Sequence, residues 1–172
     1  VLERINQPEI ILRSYFARGR KPLNEVKLVL VGQGSVGKTS LVERLVLNIY
    51  QPQQNKTDGI AISTWQVPNQ LSGREQSGGV HVNIWDFGGQ EIMHATHQFF
   101  LTRRSLYLLV LDTRLTQEEN RIEYWLKMLQ SFSDSSPVLI IGNKSDQHQL
   151  DIDRTGLKKK YPNIAGFLET SA

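Results

Sequence analysis

The feature that most constrains the fold of this chain is a set of short apolar runs that alternate with longer amphipathic segments. The runs are VKLVLV (26–31), VHVNIWDF (80–87), SLYLLVLD (105–112), PVLIIGN (137–143) and AGFLETS (165–171). Their length and branched, apolar composition are typical of strands buried on both faces. Between them, residues 39–50 and 116–132 carry apolar side chains at helical spacing. The alternation predicts an α/β fold, with a mainly parallel sheet and helices on both faces.

One pair of runs breaks this alternation. GIAISTWQV (59–67) and VHVNIWDF (80–87) are joined by PNQLSGREQSGG, which leaves no room for a crossover helix. Antiparallel strands need only a loop between them, whereas parallel neighbours need a crossover. We therefore expect an antiparallel hairpin at one edge of a sheet of about six strands.

Between the first run and the first helical segment lies GQGSVGKTS (32–40), whose spacing fits G-x-x-x-x-G-K-[ST]. In such a loop the backbone amides point inward, and the start of the following helix adds partial positive charge. The loop is therefore predicted to hold a polyphosphate, with Lys38 reaching the β- and γ-phosphates and Thr39 binding Mg²⁺. A flexible turn with a solvated lysine is the alternative. The predicted contacts in this phosphate loop are Gly32, Gly34, Ser35, Val36, Gly37, Lys38, Thr39 and Ser40.

Two further segments are placed to complete the phosphate end. Asp86 ends a predicted buried strand, where a carboxylate beside a phosphate loop meets Mg²⁺ through water. Gly88 and Gly89 then free the chain for an amide, assigned to Gly89, to contact the γ-phosphate; an ordinary strand-ending turn is the alternative. Thr57, in the loop after the first helix, is the candidate for closing on the γ-phosphate. The predicted Mg²⁺ ligands are Thr39, Thr57 and Asp86.

The segment NKSD (143–146) ends another apolar run, at the edge where open α/β sheets bind ligands. Guanine presents N1–H and an exocyclic amino group side by side, and a carboxylate accepts both, so Asp146 is assigned to base selection. Adenine would leave that carboxylate unpaired, a mismatch worth on the order of 10⁴ in discrimination. Asn143 is expected to brace the loop, and the stem of Lys144 to lie over the purine.

The segment ETSA (169–172) closes the predicted site. Small residues after the final apolar run let a backbone amide, that of Ala172, approach the purine oxygen. Ser171 is predicted to line the same site. Together with NKSD, this segment favours GTP and GDP over ATP as ligands.

These segments, in this order, resemble the Ras-like small GTPases across residues 26–172. DFGGQE followed by HATHQFFLTRRSLYLLVLD is similar, more narrowly, to the Roc domain of the Roco proteins, as is ENRIEYWLKML. The resemblance implies a Ras-like P-loop GTPase fold that binds GTP or GDP with Mg²⁺, hydrolyses GTP slowly and acts as a switch. It also implies a COR domain directly afterwards and dimerisation of the Roc-COR unit. The C-terminal helix with which small GTPases end is missing here, because the chain stops before it.

Residues 1–25 differ from the rest of the chain. The segment 8–20 is predicted to form a short helix, and GRKPLNE after it is typical of a linker. PEIILRSY is similar to the connector between a leucine-rich repeat array and a Roc domain. We therefore expect residues 1–25 to link a preceding repeat domain to a GTPase domain over 26–172, within a longer protein.

Four residues are predicted to act in phosphoryl transfer, which depends on positioning and charge stabilisation. Lys38 and Thr57 act at the phosphates, and Gln90 matches the glutamine that orients water in many Ras-like proteins. Arg104, next to Arg103, is the candidate arginine to stabilise the charge on the leaving oxygen, in cis or across a dimer. A solvated position remote from the phosphates is nevertheless favoured for it. An interaction module with negligible hydrolysis and a P-loop ATPase are the alternative functions.

Composition argues against several other functions. A net charge of +3 with scattered basic residues does not indicate nucleic-acid binding. The absence of cysteine excludes disulfides and thiolate metal sites, and no apolar run approaches the roughly 20 residues of a membrane span. We expect a cytoplasmic protein without integral membrane contact. Glu91, His94 and His97 have helical spacing, but nothing nearby completes a metal site.

Overall fold

The computed structural model describes residues 24–51, 57, 59–67, 79–88 and 100–172 of the 172-residue chain. The strands are β1 (Glu25–Val31), β2 (Ile60–Val67), β3 (Val80–Phe87), β4 (Ser105–Asp112), β5 (Val138–Asn143) and β6 (Ile164–Thr170). The helices are α1 (Lys38–Leu47), α2 (Ile122–Ser133) and α3 (Arg154–Lys160). The helix predicted over residues 8–20 lies outside the described residues.

All six strands form one sheet in the order β2-β3-β1-β4-β5-β6. β2 and β3 pair antiparallel, and the other neighbours pair parallel. The predicted mostly parallel sheet with one antiparallel edge hairpin is confirmed. Because β3 and β4 flank β1, the strand order reverses at β1, and open α/β sheets bind ligands beside the carboxyl ends of the strands at such a point.

The alternating side chains of the strands build one apolar core on each face of the sheet. On one face, Leu28 and Leu30 of β1 pack in the same cluster as Leu41 and Val42 of α1. On the other face, the core includes the fully buried Trp125 of α2 together with Leu157 of α3. The inner strands β1, β4 and β5 are largely buried on both faces, which explains why their sequences are mostly apolar rather than alternating. The edge strands β2 and β6 are largely half-buried or exposed.

Two helices are shorter than their sequence patterns. α1 ends at Leu47, because the next residue, Asn48, adopts a left-handed conformation with φ 55°. α2 begins at Ile122, because Arg121 has φ 54° and interrupts the helical pattern before it. Apolar spacing indicates which face packs on the sheet, but it does not report these local interruptions.

Helix α3 has no counterpart among the helices predicted from the sequence. This helix has seven residues and one buried side chain, that of Leu157. Asp153 caps its amino end, and its carboxylate accepts a hydrogen bond of 2.8 Å from the amide of Gly156. The capping aspartate was the available signal, because a single buried residue gives no periodicity.

Asn120 holds the turn between β4 and α2 and is only 1% exposed. Its Oδ1 accepts a hydrogen bond of 2.9 Å from the amide of Asp112. Its Nδ2 lies 2.9 Å from the carbonyl oxygen of Asp112 and 3.0 Å from those of Leu115 and Thr116. One side chain thus bonds to backbone groups at the end of β4 and in the turn that follows it.

We expect Asn120→Ala to lower the free energy of unfolding by about 2–4 kcal/mol, because the Asp112 amide loses its acceptor and three backbone carbonyl oxygens lose a donor. Urea unfolding measures the change. Glu118→Ala, at an exposed position of the same turn, is the control and is expected to stay within about 0.5 kcal/mol of wild type. Equal stabilities for the two variants would contradict this role of Asn120.

Candidate functional site

The phosphate loop leaves the carboxyl end of β1 and leads into α1. Gly32, Ser35 and Gly37 turn its backbone with φ values of 140°, 63° and 91°. A Cβ atom on Gly32 would lie 2.2 Å from the carbonyl oxygen of Val110, and one on Gly37 would lie 2.3 Å from Nδ2 of Asn143. Both glycines are therefore required by the backbone conformation and by close packing against β4 and β5.

Lys38 begins α1 and is only 6% exposed. Its Nζ donates hydrogen bonds to the carbonyl oxygens of Gly32, at 2.9 Å, and Gln33, at 2.7 Å. Burial lowers the pKa of Lys38 to about 8, and the nearby charge of Asp86 opposes this change. Among the described residues, the buried ammonium is hydrogen-bonded to neutral oxygens, which leaves its charge poorly compensated and favours an anion beside it.

A network of three oxygen-bearing side chains lies beside Lys38. The Thr39 hydroxyl donates to Asp86 Oδ2 at 2.6 Å, and the Oγ1 atoms of Thr39 and Thr57 lie 2.8 Å apart. Thr39 belongs to α1, Asp86 to β3, and Thr57 lies just before β2. The fold thus brings into contact the three residues that were predicted as Mg²⁺ ligands.

This network fits a Mg²⁺ ion. Oδ1 of Asp86 is buried and has no hydrogen-bond partner among the described residues. Burial raises the pKa of Asp86, while the hydrogen bond from Thr39 and the charge of Lys38 act in the opposite direction. An unpaired carboxylate oxygen next to two hydroxyl oxygens has the ligand chemistry that Mg²⁺ prefers.

Asn143 connects three parts of the chain at the end of β5. Its buried Nδ2 donates to the carbonyl oxygen of Val36 at 2.9 Å, and its Oδ1 accepts from the Ala172 amide at 3.0 Å. The phosphate loop, β5 and the segment after β6 are therefore held together by one side chain. The Ala172 amide, which is predicted to approach a purine oxygen, donates to Asn143 in this structure.

Lys144 and Asp146 lie in the turn that follows β5. Lys144 has φ 66°, and its Nζ donates to the carbonyl oxygen of Ser35 at 2.8 Å. Asp146 is exposed and accepts a hydrogen bond from the Ser171 hydroxyl. The turn therefore presents a carboxylate to solvent, next to a lysine stem that reaches across to the phosphate loop.

A buried carboxylate at the end of β4 was not among the site residues predicted from the sequence. Asp112 lies opposite Asn143 in the β4–β5 register and is 3% exposed. Its Oδ2 lies 2.7 Å from Lys144 Nζ and 2.7 Å from an Arg114 guanidinium nitrogen. Burial alone would raise the pKa of Asp112, but hydrogen bonds from Arg114 and Lys144 lower it well below its usual range. The available signal was an aspartate at the end of a buried strand, as at Asp86.

The two candidate arginines lie away from the phosphate loop. Arg104 immediately precedes Ser105, the first residue of β4, and β4 runs parallel to β1. Arg104, at the amino end of β4, and the phosphate loop, at the carboxyl end of β1, therefore lie at opposite ends of the parallel strands. Arg103 lies near the amino end of β4 as well, with its Nε 3.8 Å from an Asp134 carboxylate oxygen. This geometry does not fit a role for either arginine at the phosphates of the same chain.

Other predicted positions lie outside the described residues. They are Gly89, assigned to the γ-phosphate, Gln90, assigned to the attacking water, and the disfavoured metal candidates Glu91, His94 and His97. In the described ranges, no cluster of three or more His, Cys, Asp or Glu residues could hold a metal ion. None of the helices found in that part of the chain has the length and apolar character needed to span a bilayer.

The sequence matches the protein family described as "Ras of Complex, Roc, domain of DAPkinase" over residues 27–146. It is 35% identical to a probable serine/threonine-protein kinase, pats1 of Dictyostelium discoideum, over 82% of this chain and 5% of that protein. It is also 35% identical to a Roc-COR-CHAT protease of Runella zeae, over 88% of this chain and 18% of that protein. The chain thus spans only a small part of these relatives.

A solved structure has both a similar fold and a similar sequence. It is that of Methanosarcina barkeri Roco2 RocCORdC bound to GDP, with a TM-score of 0.75 and 47% sequence identity. The match covers 91% of this chain and 47% of that chain. Sequence family and three-dimensional fold therefore agree.

The buried Lys38 generates a pH-dependent prediction. Its pKa is about 8 in the folded chain, against an ordinary value of 10.5. Between these two pH values the unfolded chain keeps the proton and the folded chain loses it. The free energy of unfolding therefore rises with pH over this interval. Relative to Lys38→Met, the free energy of unfolding of wild type is expected to increase by about 3 kcal/mol over this interval. Urea unfolding of phosphate-free protein measures it, with Lys159→Met as the exposed-lysine control. A difference between wild type and Lys38→Met that does not change with pH would contradict the lowered pKa.

Proposed function

Because the chain belongs to the Roc family of Ras-like domains, we propose that it binds GTP and GDP with Mg²⁺ and slowly hydrolyses GTP to GDP and phosphate. In the longer protein, this domain acts as a molecular switch. The family membership supplies the reaction class, and the geometry of the candidate site supplies the residues proposed for it.

The observation that carries this proposal is the direct contact of the phosphate loop with the end of β5 and with the turn that follows it. Asn143 Nδ2 lies 2.9 Å from the oxygen of Val36, and Lys144 Nζ lies 2.8 Å from the oxygen of Ser35. A polyphosphate on the first segment and a base on the second therefore belong to one ligand. The relative of known structure, at 47% identity, is bound to GDP, which supports the same class of ligand.

At the phosphate end, Lys38 and the loop amides are proposed to hold the β- and γ-phosphates. Thr39 and Asp86 are proposed to hold Mg²⁺, and Thr57 to close on the γ-phosphate. When bound, Mg²⁺ neutralises charge that develops on the phosphate oxygens. The buried ammonium of Lys38, which donates to the neutral oxygens of Gly32 and Gln33, supports this assignment.

Guanine selection is assigned to Asp146, whose exposed carboxylate lies beside Ser171. A carboxylate accepts both N1–H and the 2-amino group of guanine, whereas adenine has no donor at N1. The Ala172 amide is proposed to exchange its bond with Asn143 for one with the purine oxygen. Asn143 keeps the two loops in register through its second bond, to Val36.

Hydrolysis is proposed to depend on Gln90, which orients the attacking water, and on the Gly89 amide at the γ-phosphate. Arg104 lies before the amino end of β4 and is a candidate for the leaving oxygen only across a dimer. A site without an arginine beside that oxygen hydrolyses GTP slowly. The same position of Arg104 favours the alternative function, an interaction module that keeps nucleotide bound with negligible hydrolysis.

The wider setting of the domain is proposed from its relatives. The names Roc-COR-CHAT protease and RocCORdC place Roc and COR together, so we propose a COR domain directly after this chain and a homodimer of the parent protein. Residues 1–25 are proposed to connect a leucine-rich repeat domain to the GTPase domain over 26–172. A cytoplasmic location fits a sequence without cysteine.

We expect the protein to release phosphate from Mg·GTP over hours, and Lys38→Ala to abolish this release because the phosphates lose their buried cation.

Gln90→Leu is expected to slow single-turnover hydrolysis about tenfold or more, because water is no longer oriented. A phosphate-release assay measures both. Equal rates for wild type and Lys38→Ala would support the interaction module, and an unchanged rate for Gln90→Leu would remove Gln90 from the mechanism.

Asp146→Asn is expected to shift binding from guanine to xanthine nucleotides, because an amide nitrogen can donate to the 2-carbonyl of xanthine. The affinity for GDP should fall on the order of 10²-fold or more. Displacement of fluorescent GDP by GDP, XDP and ATP measures the preference, with the exposed Asp151→Asn as control. Wild-type preference for ATP would refute the assigned specificity.

A further inference from the structure

An ion cluster lies at the carboxyl end of β4, beside the proposed base site, and is built around the buried carboxylate of Asp112. The guanidinium of Arg114 holds both oxygens of Asp112, with Nε 2.9 Å from Oδ1 and a terminal nitrogen 2.7 Å from Oδ2. The Arg114 amide also donates to Oδ1 at 3.0 Å. The same Oδ2 accepts a hydrogen bond of 2.7 Å from Lys144 Nζ. The carboxylate is thus bonded to two cations at once.

Lys144 is held on both sides of its ammonium. Asp112 binds it from β4, and the carbonyl oxygen of Ser35 binds it from the phosphate loop at 2.8 Å. The backbone of Lys144 is held too, because the Thr113 hydroxyl donates to its carbonyl oxygen at 2.9 Å. Arg114 adds a contact of 3.3 Å to Gln147, in the same turn. The segment from Asp112 to Arg114 therefore supports the whole turn after β5.

This arrangement fixes a side chain that is otherwise flexible. A free lysine stem loses rotamer freedom when a ring packs on it, and that loss weakens binding. Here the Lys144 ammonium is fixed by a carboxylate whose side chain is only 5% exposed. Arg114 holds this carboxylate in a bidentate geometry that lysine could not supply.

We propose that Asp112 and Arg114 are positioning residues that fix the stem of Lys144 as a rigid platform for the purine ring, an inference that rests on the proposed function. The platform contacts the face of the ring, which guanine and hypoxanthine share. Asp146 instead reads the edge of the ring, where only guanine has the 2-amino group. Asp112 and Arg114 thus set how tightly purine nucleotides bind, and Asp146 sets which purine is preferred.

Asp112→Asn tests this division, because it keeps the shape of the side chain and removes its charge. We expect it to weaken GDP and IDP binding by the same factor, about 10- to 100-fold, and to leave their ratio unchanged. Calorimetric titration with Mg·pyrophosphate, which has no base, is expected to give the wild-type affinity. A purely structural defect in the phosphate loop would weaken pyrophosphate binding as well and would overturn the proposal.

A double-mutant cycle tests whether Asp112 acts through Lys144. Lys144→Met removes the ammonium, so adding Asp112→Asn to that variant should change GDP affinity by no more than about twofold. Losses that add in full would show that Asp112 acts independently of Lys144 and would overturn the proposal.

Arg114→Gln is a second variant whose folding is secure, because the Arg114 side chain is 43% exposed. It is expected to weaken GDP and IDP binding equally, by about 3- to 10-fold. Lys160→Gln, which breaks the surface pair with Glu123 between α3 and α2, is the matched control and should leave GDP affinity unchanged.

The outcomes separate this inference from the proposed function. If wild type binds GDP and both Asp112→Asn and Arg114→Gln bind it equally tightly, the positioning role is wrong while the proposed function stands. If wild type binds no guanine nucleotide, the proposed function fails and the inference fails with it.

Discussion

The buried side-chain amide of Asn143 is the contact on which the site depends. It donates to Val36 in the phosphate loop and accepts from Ala172 after β6, at 2.9 and 3.0 Å. A Cβ atom on Gly37 would lie 2.3 Å from this amide. Gly37 of the loop and Asn143 at the end of β5 therefore pack together, and neither can change without affecting the other. Through this contact the end of β5 sets the position of a loop that belongs to β1.

The direction of the strands decides which residues reach this contact. Strands buried on both faces leave mainly their ends for polar side chains, so Asp86, Asp112 and Asn143 lie near the carboxyl ends of three parallel strands. In the register of the sheet, Asp86 lies opposite Leu30, and Asp112 lies opposite Asn143. The same direction places Arg104 at the amino end of β4, away from these residues. Strand direction therefore determines access to the site more strongly than proximity in the sequence.

The strands, the edge hairpin and the phosphate loop could be predicted from the sequence because each leaves a local pattern of apolar residues or glycines. α3 could not, since Leu157 is its one buried residue and its amino end depends on a single cap. The bond from Lys144 to Asp112 spans 32 positions and forms only because β4 pairs with β5. No local pattern encodes such a contact. The candidate site was predictable where a segment carries its own geometry, and not where strand pairing creates it.

The two ends of the site differ in how their buried charges are compensated. At the phosphate end, burial lowers the pKa of Lys38 and raises that of Asp86, so each group lies where its charged form is disfavoured. At the base end, burial alone would raise the pKa of Asp112, but Arg114 and Lys144 hold it well below its usual range. A polyphosphate with its cation brings compensation that the phosphate end lacks, whereas a neutral base requires a site whose charges are already compensated. The charges along this edge of the sheet therefore match a ligand that is charged at one end and neutral at the other.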